Sequence, residues 1–264
     1  MSRGAWCAKP PSVFTYAFDH HVMVRRLLAW CAHAYTALGL VAVAAIAVAI
    51  YDGRFQHAFL WMFVATIIDA TDGMLARAVK VKEVLPNFDG RRLDDLIDFQ
   101  TFTTLPLFLM WRANLLPEEW QAILLAPLVA SAYGFCQVSA KTQDGYFLGF
   151  PSYWNIIAFY LYLLQPPAWL TMSLLLFFAV MTFVPARYLY PTHRGRLNRW
   201  TNWLGGVWGI FLIWILWRWH EDTTIEPVTR VLVLISLVFP AYYLLVSWWI
   251  SVRIVVRAHR QRHA

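Results

Sequence analysis

The chain has 264 residues, 60% of them hydrophobic and only 14% charged. Soluble domains carry about 25% charged residues, so a water-soluble globule is excluded. The net charge of +7 acts on membrane orientation and on anionic headgroups, and calls for no nucleic-acid partner.

In chain order, the first 26 residues lack the layout of a signal peptide, since charge, prolines and His20-His21 precede the first apolar run. Val13-Phe14, Ala17-Phe18, Val22 and Leu27-Leu28 alternate with polar positions. This reads either as an amphipathic segment on the membrane interface or as an ordinary tail. Hydropathy then gives eight spans, at about 27–51, 57–78, 92–112, 120–140, 153–166, 168–187, 202–218 and 230–254. The fifth is short and ends at Pro166-Pro167, so a tight helical hairpin that stops short of crossing is the alternative. The expected fold is an all-α polytopic bundle forming a single membrane domain over 1–264, with an N-terminal segment 1–26, a bundle 27–254 and a basic tail 255–264. Fifteen Trp and twelve Tyr suit interfacial belts as well as cores. Cys7, Cys31 and Cys136 form no C-x-x-C pair, and suggest neither a disulfide framework nor a zinc site.

Orientation follows from the basic residues. With both termini on one side, that side holds eighteen of the 22 Lys and Arg, leaving Arg54, Arg112, Arg218 and Arg230 on the other. The positive-inside rule then makes the termini cytoplasmic.

The chemistry concentrates at the ends of spans two and three. There the chain reads D-x-x-D-G-x-x-A-R from Asp69 to Arg77, then twelve residues, then G-x-x-x-D-x-x-x-D from Gly90 to Asp98. An isolated carboxylate beside hydrocarbon costs several kcal/mol, and a divalent cation neutralises such groups best. At 100° per residue, Asp69, Asp72, Gly73, Ala76 and Arg77 share an arc of about 140°. Gly90, Asp94 and Asp98 share about 80°, while Asp95 falls outside. Pro86 breaks the helix between them and Asn87 or Asp89 can cap the next. Both carboxylate faces can therefore converge on the cytoplasmic side. Gly73, Ala76 and Gly90 are small where a nucleotide could approach the backbone closely. A solvated cap or salt-bridge cluster explains either half of the motif alone, but not both halves on facing helices.

These residues resemble the signature of the CDP-alcohol phosphatidyltransferase family. The twelve-residue interval, Glu83-Val84-Leu85-Pro86-Asn87, the stretch from Lys141 to Asn155 and that from Arg187 to Asn198 resemble its bacterial branch that makes phosphatidylcholine. The resemblance implies transfer of the phosphatidyl group of CDP-diacylglycerol to choline with release of CMP. It implies two divalent ions, Mn²⁺ or Mg²⁺, on Asp69, Asp72 and Asp94, with Asp98 beside them as general base. It assigns CDP binding to Asp69, Gly73, Ala76, Arg77, Gly90 and Thr36. His33 stands where many members have Asn. A homodimer in the bacterial inner membrane, surrounded by membrane lipids, is also implied. Tyr146, Phe147, Phe150, Tyr153, Trp154 and Asn155, with Asp144 nearby, form a candidate choline box, since aromatic faces hold quaternary ammonium. Aromatics at a membrane interface are equally expected without a ligand. The rivals are the same reaction with serine, an inositol phosphate or a glycerol phosphate, and a divalent-cation transporter. A transporter places its carboxylates near the midplane and often shows inverted repeats, and neither feature is visible.

Overall fold

The computed structural model describes residues 20–138, 140, 142, 145–189, 196–219 and 226–262. The segment before His20, and with it the amphipathic reading, lies outside the described residues, as do Lys141, Asp144 and Arg194. Among the described residues the regular structure is helical apart from two three-residue strands. Four of its helices are long and apolar enough to cross a membrane. Exposed Leu38, Val41 and Val48 on the first of them are what a lipid-facing surface requires.

Helix α1 (His20–Tyr51) turns back through Asp52-Gly53-Arg54 into α2 (Phe55–Ala78). Gly53 sits at φ 74 in that turn, where a side chain is disfavoured. After a short α3 (Val81–Val84), α4 (Gly90–Asp98) starts behind Asp89, whose carboxylate accepts from the Arg91 and Arg92 amides. This is the N-cap expected from sequence. Helix α4 runs through a π-helical turn, Phe99–Thr104, into α5 (Leu105–Arg112). A 3₁₀ segment, Glu118–Leu124, leads into α6 (Leu125–Cys136).

Helices α7 (Trp154–Leu164) and α8 (Ala168–Phe183) are joined through Gln165, which adopts φ 45, and they diverge: α7 packs on α5 and α10, and α8 on α6. Eleven residues of α7 rise only about 17 Å, roughly half the hydrocarbon thickness. The fifth span is thus short, as the sequence indicates, but α7 and α8 do not pack together as a tight hairpin. Helix α9 (Arg196–Arg218) is followed by α10 (Pro227–Ser236) and α11 (Val238–Arg262), which divide the expected last span at Leu237. Pro240 has no amide to bond the Ser236 carbonyl four residues back. Trp208 Nε1 on α9 donates to that carbonyl instead, at 3.0 Å, so the break is satisfied within the bundle.

Two short strands accompany the all-α bundle. The sixth helix was expected to reach residue 187, but it ends at Phe183 and Val184 is extended before Pro185, as a residue preceding proline prefers. Strand β1 (Tyr146–Leu148) then pairs antiparallel with β2 (Arg187–Leu189). A two-stranded edge would normally leave amides open. Here α11 closes it: Ser251 Oγ accepts from the Arg187 amide at 2.6 Å, Ser247 Oγ accepts from the Leu189 amide at 3.3 Å, and the Tyr243 hydroxyl donates to the Leu189 carbonyl at 2.9 Å. The sheet thus ties the loops after α6 and α8 to the last helix.

The turn out of β1 is tightly determined. Gly149 adopts φ 81, and a Cβ there would collide with the Thr182 carbonyl oxygen of α8. Gly149→Ala therefore lowers stability by about 1–3 kcal/mol, read as a fall in thermal midpoint of the detergent-purified protein. An unchanged midpoint contradicts this account of the turn.

Candidate active site

Helices α1, α2 and α4 build the site. Helix α1 lies against both of the others. Its Gly39 admits Ile97 of α4, whose Cγ2 would lie 2.6 Å from a Cβ at that position. Its Tyr35 hydroxyl bonds Thr71 Oγ1 of α2 at 2.7 Å. One residue on, Thr36 Oγ1 donates to Asp72 Oδ2 at 2.8 Å.

Across α2 and α4, ligand oxygens of Asp69, Asp94 and Asp98 all lie within 4.8 Å of one another, and each residue is half-buried. Three negative charges at such distances repel strongly where solvent screening is weak. An all-oxygen donor set of this size suits a hard divalent cation, which removes that repulsion. The residues present therefore fit a metal ion. Asp72, one of the expected ligands, is only 6% exposed and is held by Thr36. It stands outside the three-carboxylate group in this arrangement. Asp95 is also outside it, as the helical phase predicts.

The π-helical turn begins immediately after Asp98. The Leu105 amide reaches back five residues to the Gln100 carbonyl, and Thr104 Oγ1 bonds the Phe99 carbonyl at 3.3 Å. Inserting one residue into a turn rotates the following helix by about 100°. The carboxylate face of α4 can then point at α2 while Leu105, Leu107 and Leu109 on α5 enter the core.

The small residues divide. Gly73 lies beneath its own helix neighbour Arg77, whose Nη1 would be 3.1 Å from a Cβ there. The exposed Arg77 guanidinium thus folds back along the carboxylate face. Ala76 is half-buried and packs toward Ala29, Ala32 and Val81, so its small size serves the contact with α1. Gly90 faces the ring of His33, a neighbour that motif spacing could not reveal.

The aromatic group separates in the same way. Trp154 is fully buried and donates its indole N–H to Ser131 Oγ at 2.6 Å. That corrects its assignment to a choline box, because its ring is a core element. Phe150 is 5% exposed and packs on Trp154 and Phe178. Tyr146 and Phe147 belong to β1, where Phe147 packs toward the core. Tyr153 caps α7 and lies edge-on to Tyr243. Asn155 reaches α2, with its Nδ2 3.5 Å from Thr66 Oγ1. Thr66 lies one turn before Asp69, so Asn155 borders the site from the α7 side.

Comparison with known proteins agrees with this geometry. Residues 29–184 match the CDP-alcohol phosphatidyltransferase family. The phosphatidylcholine synthase of Pseudomonas aeruginosa is 37% identical over 169 residues, covering 64% of this chain and 71% of the relative. That of Legionella bozemanae is 40% identical over 147 residues, 55% of this chain and 68% of the relative. That of Bradyrhizobium diazoefficiens is 38% identical over 194 residues, 72% of each chain. The matched segment runs from α1 to the end of α8 and contains every helix that builds the carboxylate site. The chain is an integral membrane enzyme and belongs to the CDP-alcohol phosphatidyltransferase family.

Proposed function

We propose that the protein transfers the phosphatidyl group of CDP-diacylglycerol to choline, giving phosphatidylcholine and CMP. The convergence of Asp69, Asp94 and Asp98 carries the transferase part of this reading. The relatives named phosphatidylcholine synthase support choline as the alcohol. The positive-inside count supports a site and both termini on the cytoplasmic face, and the bacterial relatives support the inner membrane as the setting. The family resemblance adds a homodimer.

The diphosphate of the CDP-lipid is an anion that repels an incoming nucleophile. Asp69, Asp94 and Asp98 would hold Mn²⁺ or Mg²⁺, which would supply positive charge against the diphosphate. Arg77 adds a fixed cation with a planar donor fork suited to phosphate oxygens. Thr36 fixes Asp72, so the nucleotide side of the site is set by α1. Choline's hydroxyl is a weak nucleophile, and Asp98 takes its proton as the oxygen bonds to phosphorus. The bond from that phosphorus to the CMP oxygen breaks, and the electron pair leaves with CMP.

Three expectations follow from this mechanism. Purified protein given labelled choline, CDP-diacylglycerol and Mn²⁺ forms labelled phosphatidylcholine and one CMP per lipid. No labelled lipid with choline, together with turnover of serine, an inositol phosphate or a glycerol phosphate, replaces the alcohol. CMP release in detergent, where no gradient exists, excludes the transporter. Chelation abolishes turnover and Mn²⁺ restores it, whereas turnover that survives chelation contradicts the metal site. Asp98→Asn lowers turnover by about 10²–10⁴-fold with CDP binding retained within a few-fold, and substantial residual turnover removes Asp98 from the role of base.

A further inference from the structure

At the end of the bundle away from the carboxylates, α5, α7 and α8 border a cavity of about 1020 Å³. The continuous helix from Asp98 to Arg112 puts about 20 Å between it and the active site. The start of α2 and the end of α9 lie together at this far end, where Gln56 Nε2 donates to the Leu216 and Trp219 carbonyls. Leu116 and Leu161, both nearly inaccessible, give the cavity an apolar inner wall, and buried Thr171 adds a hydroxyl. Arg112, Glu118, Gln121 and Gln165 bring charge and amide groups to the lining.

Arginine is scarce at this end, and two of its arginines are matched by carboxylates. Arg54 pairs with Asp52 at 2.6 Å and Arg218 with Glu226 at 3.9 Å. Arg112 and Glu118 both line the cavity, yet neither is in an ion pair with a described residue. Two opposite charges that share a cavity without meeting suit a ligand that carries both signs. The helix ends have the same polarity. Helices α5 and α7 finish at the cavity, and their carbonyl ends favour a cation, whereas α8 begins there and its free amides favour an anion.

We propose that this cavity binds the headgroup of a zwitterionic phospholipid, its phosphate on Arg112 and the start of α8 and its cationic nitrogen facing Glu118. The site is separate from the transfer reaction and does not depend on which alcohol the carboxylates serve. A guanidinium can donate to two phosphate oxygens in parallel. The surroundings select a lipid over a dissolved ligand. Exposed Trp111 lines the cavity, and exposed Trp120 and Trp169 adjoin the lining residues Gln121 and Ala168. Tryptophan gathers at the headgroup level of a bilayer. The volume stands at the upper end of ordinary ligand pockets, enough for a headgroup and the glycerol behind it. A purely anionic lipid satisfies Arg112 but leaves Glu118 facing a negative ligand.

The test is lipid retention by the full-length protein in detergent, titrated by native mass spectrometry. The probes are dioleoyl phosphatidylcholine, dioleoyl phosphatidylglycerol and chain-free glycerophosphocholine. The protein is expected to hold phosphatidylcholine at least about fivefold more tightly than phosphatidylglycerol, and at least about tenfold more tightly than glycerophosphocholine. Arg112→Gln is expected to weaken both lipids by about tenfold, since each loses its phosphate contact. Glu118→Gln is expected to weaken phosphatidylcholine by about three- to tenfold and to spare phosphatidylglycerol. Should Arg112→Gln fail to accumulate, Glu118→Gln carries the test alone. Turnover stays within about twofold in both variants, because the changes are remote from the carboxylates. Unchanged phosphatidylcholine affinity in either variant overturns the proposal, as does a loss that comes only with an equal fall in turnover. Equal affinity of the unaltered protein for both lipids overturns the zwitterion, and glycerophosphocholine binding as tightly as the lipid overturns the lipid as occupant.

Discussion

The mutual repulsion of three carboxylates is the constraint that organises this molecule. Asp69 arrives on α2 and Asp94 and Asp98 on α4, and their oxygens meet within 4.8 Å. Nothing in the covalent chain requires this, since a twelve-residue link between the motif halves could hold the helices apart. What brings them together is α1. It bonds α2 through Tyr35 and Thr36 and fits α4 through Gly39 and His33. Helix α1 carries no charged group at the site, yet it sets the distance between those that do. A membrane-boundary setting makes the arrangement consequential, because weak screening leaves the charges to be balanced by a cation or not at all.

The rest of the bundle supports that geometry. The π-helical turn after Asp98 lets one continuous helix serve two directions, the site before it and the core after it. Helix α7 is too short to be an ordinary span, but it brings Asn155 against Thr66, one turn from Asp69. The β1–β2 sheet and the hydroxyl groups of α11 hold the entrance to α7 in place. Sites of this kind work when their supporting shell is rigid to within a fraction of an ångström. Here that shell reaches from the first helix to the last.

Much of this was legible in the sequence, because the responsible signals are local. Spacing of apolar runs gave the helices, and helical phase separated Asp95 from Asp94 and Asp98 correctly. Asp89 was readable as a cap, since capping depends on a side chain and amides two or three residues away. What phase could not supply is which neighbour a face meets. Gly90 and Ala76 read in the sequence as room for a nucleotide, and the partners that their size also fits, His33 on α1 and the alanines of the same helix, are about sixty and fifty residues away. Trp154 shows the opposite failure. It sits among polar and aromatic residues that suggest a ligand box, but Ser131, two elements earlier, takes its indole proton. The short sheet was missed because three-residue strands carry too little alternation to register, and proline at 185 was the one available hint.

The central claim is that carboxylates from two helices share one cation. A double-mutant cycle on Mn²⁺ binding, read by electron paramagnetic resonance, tests it most directly. Asp69→Asn and Asp94→Asn each weaken binding by at least about tenfold if both ligate the same ion. The double variant is then predicted to bind no more than about threefold worse than the weaker single variant, because the shared site is already lost. Losses that multiply across the two helices would show independent sites, and would contradict the convergence on which the whole account depends.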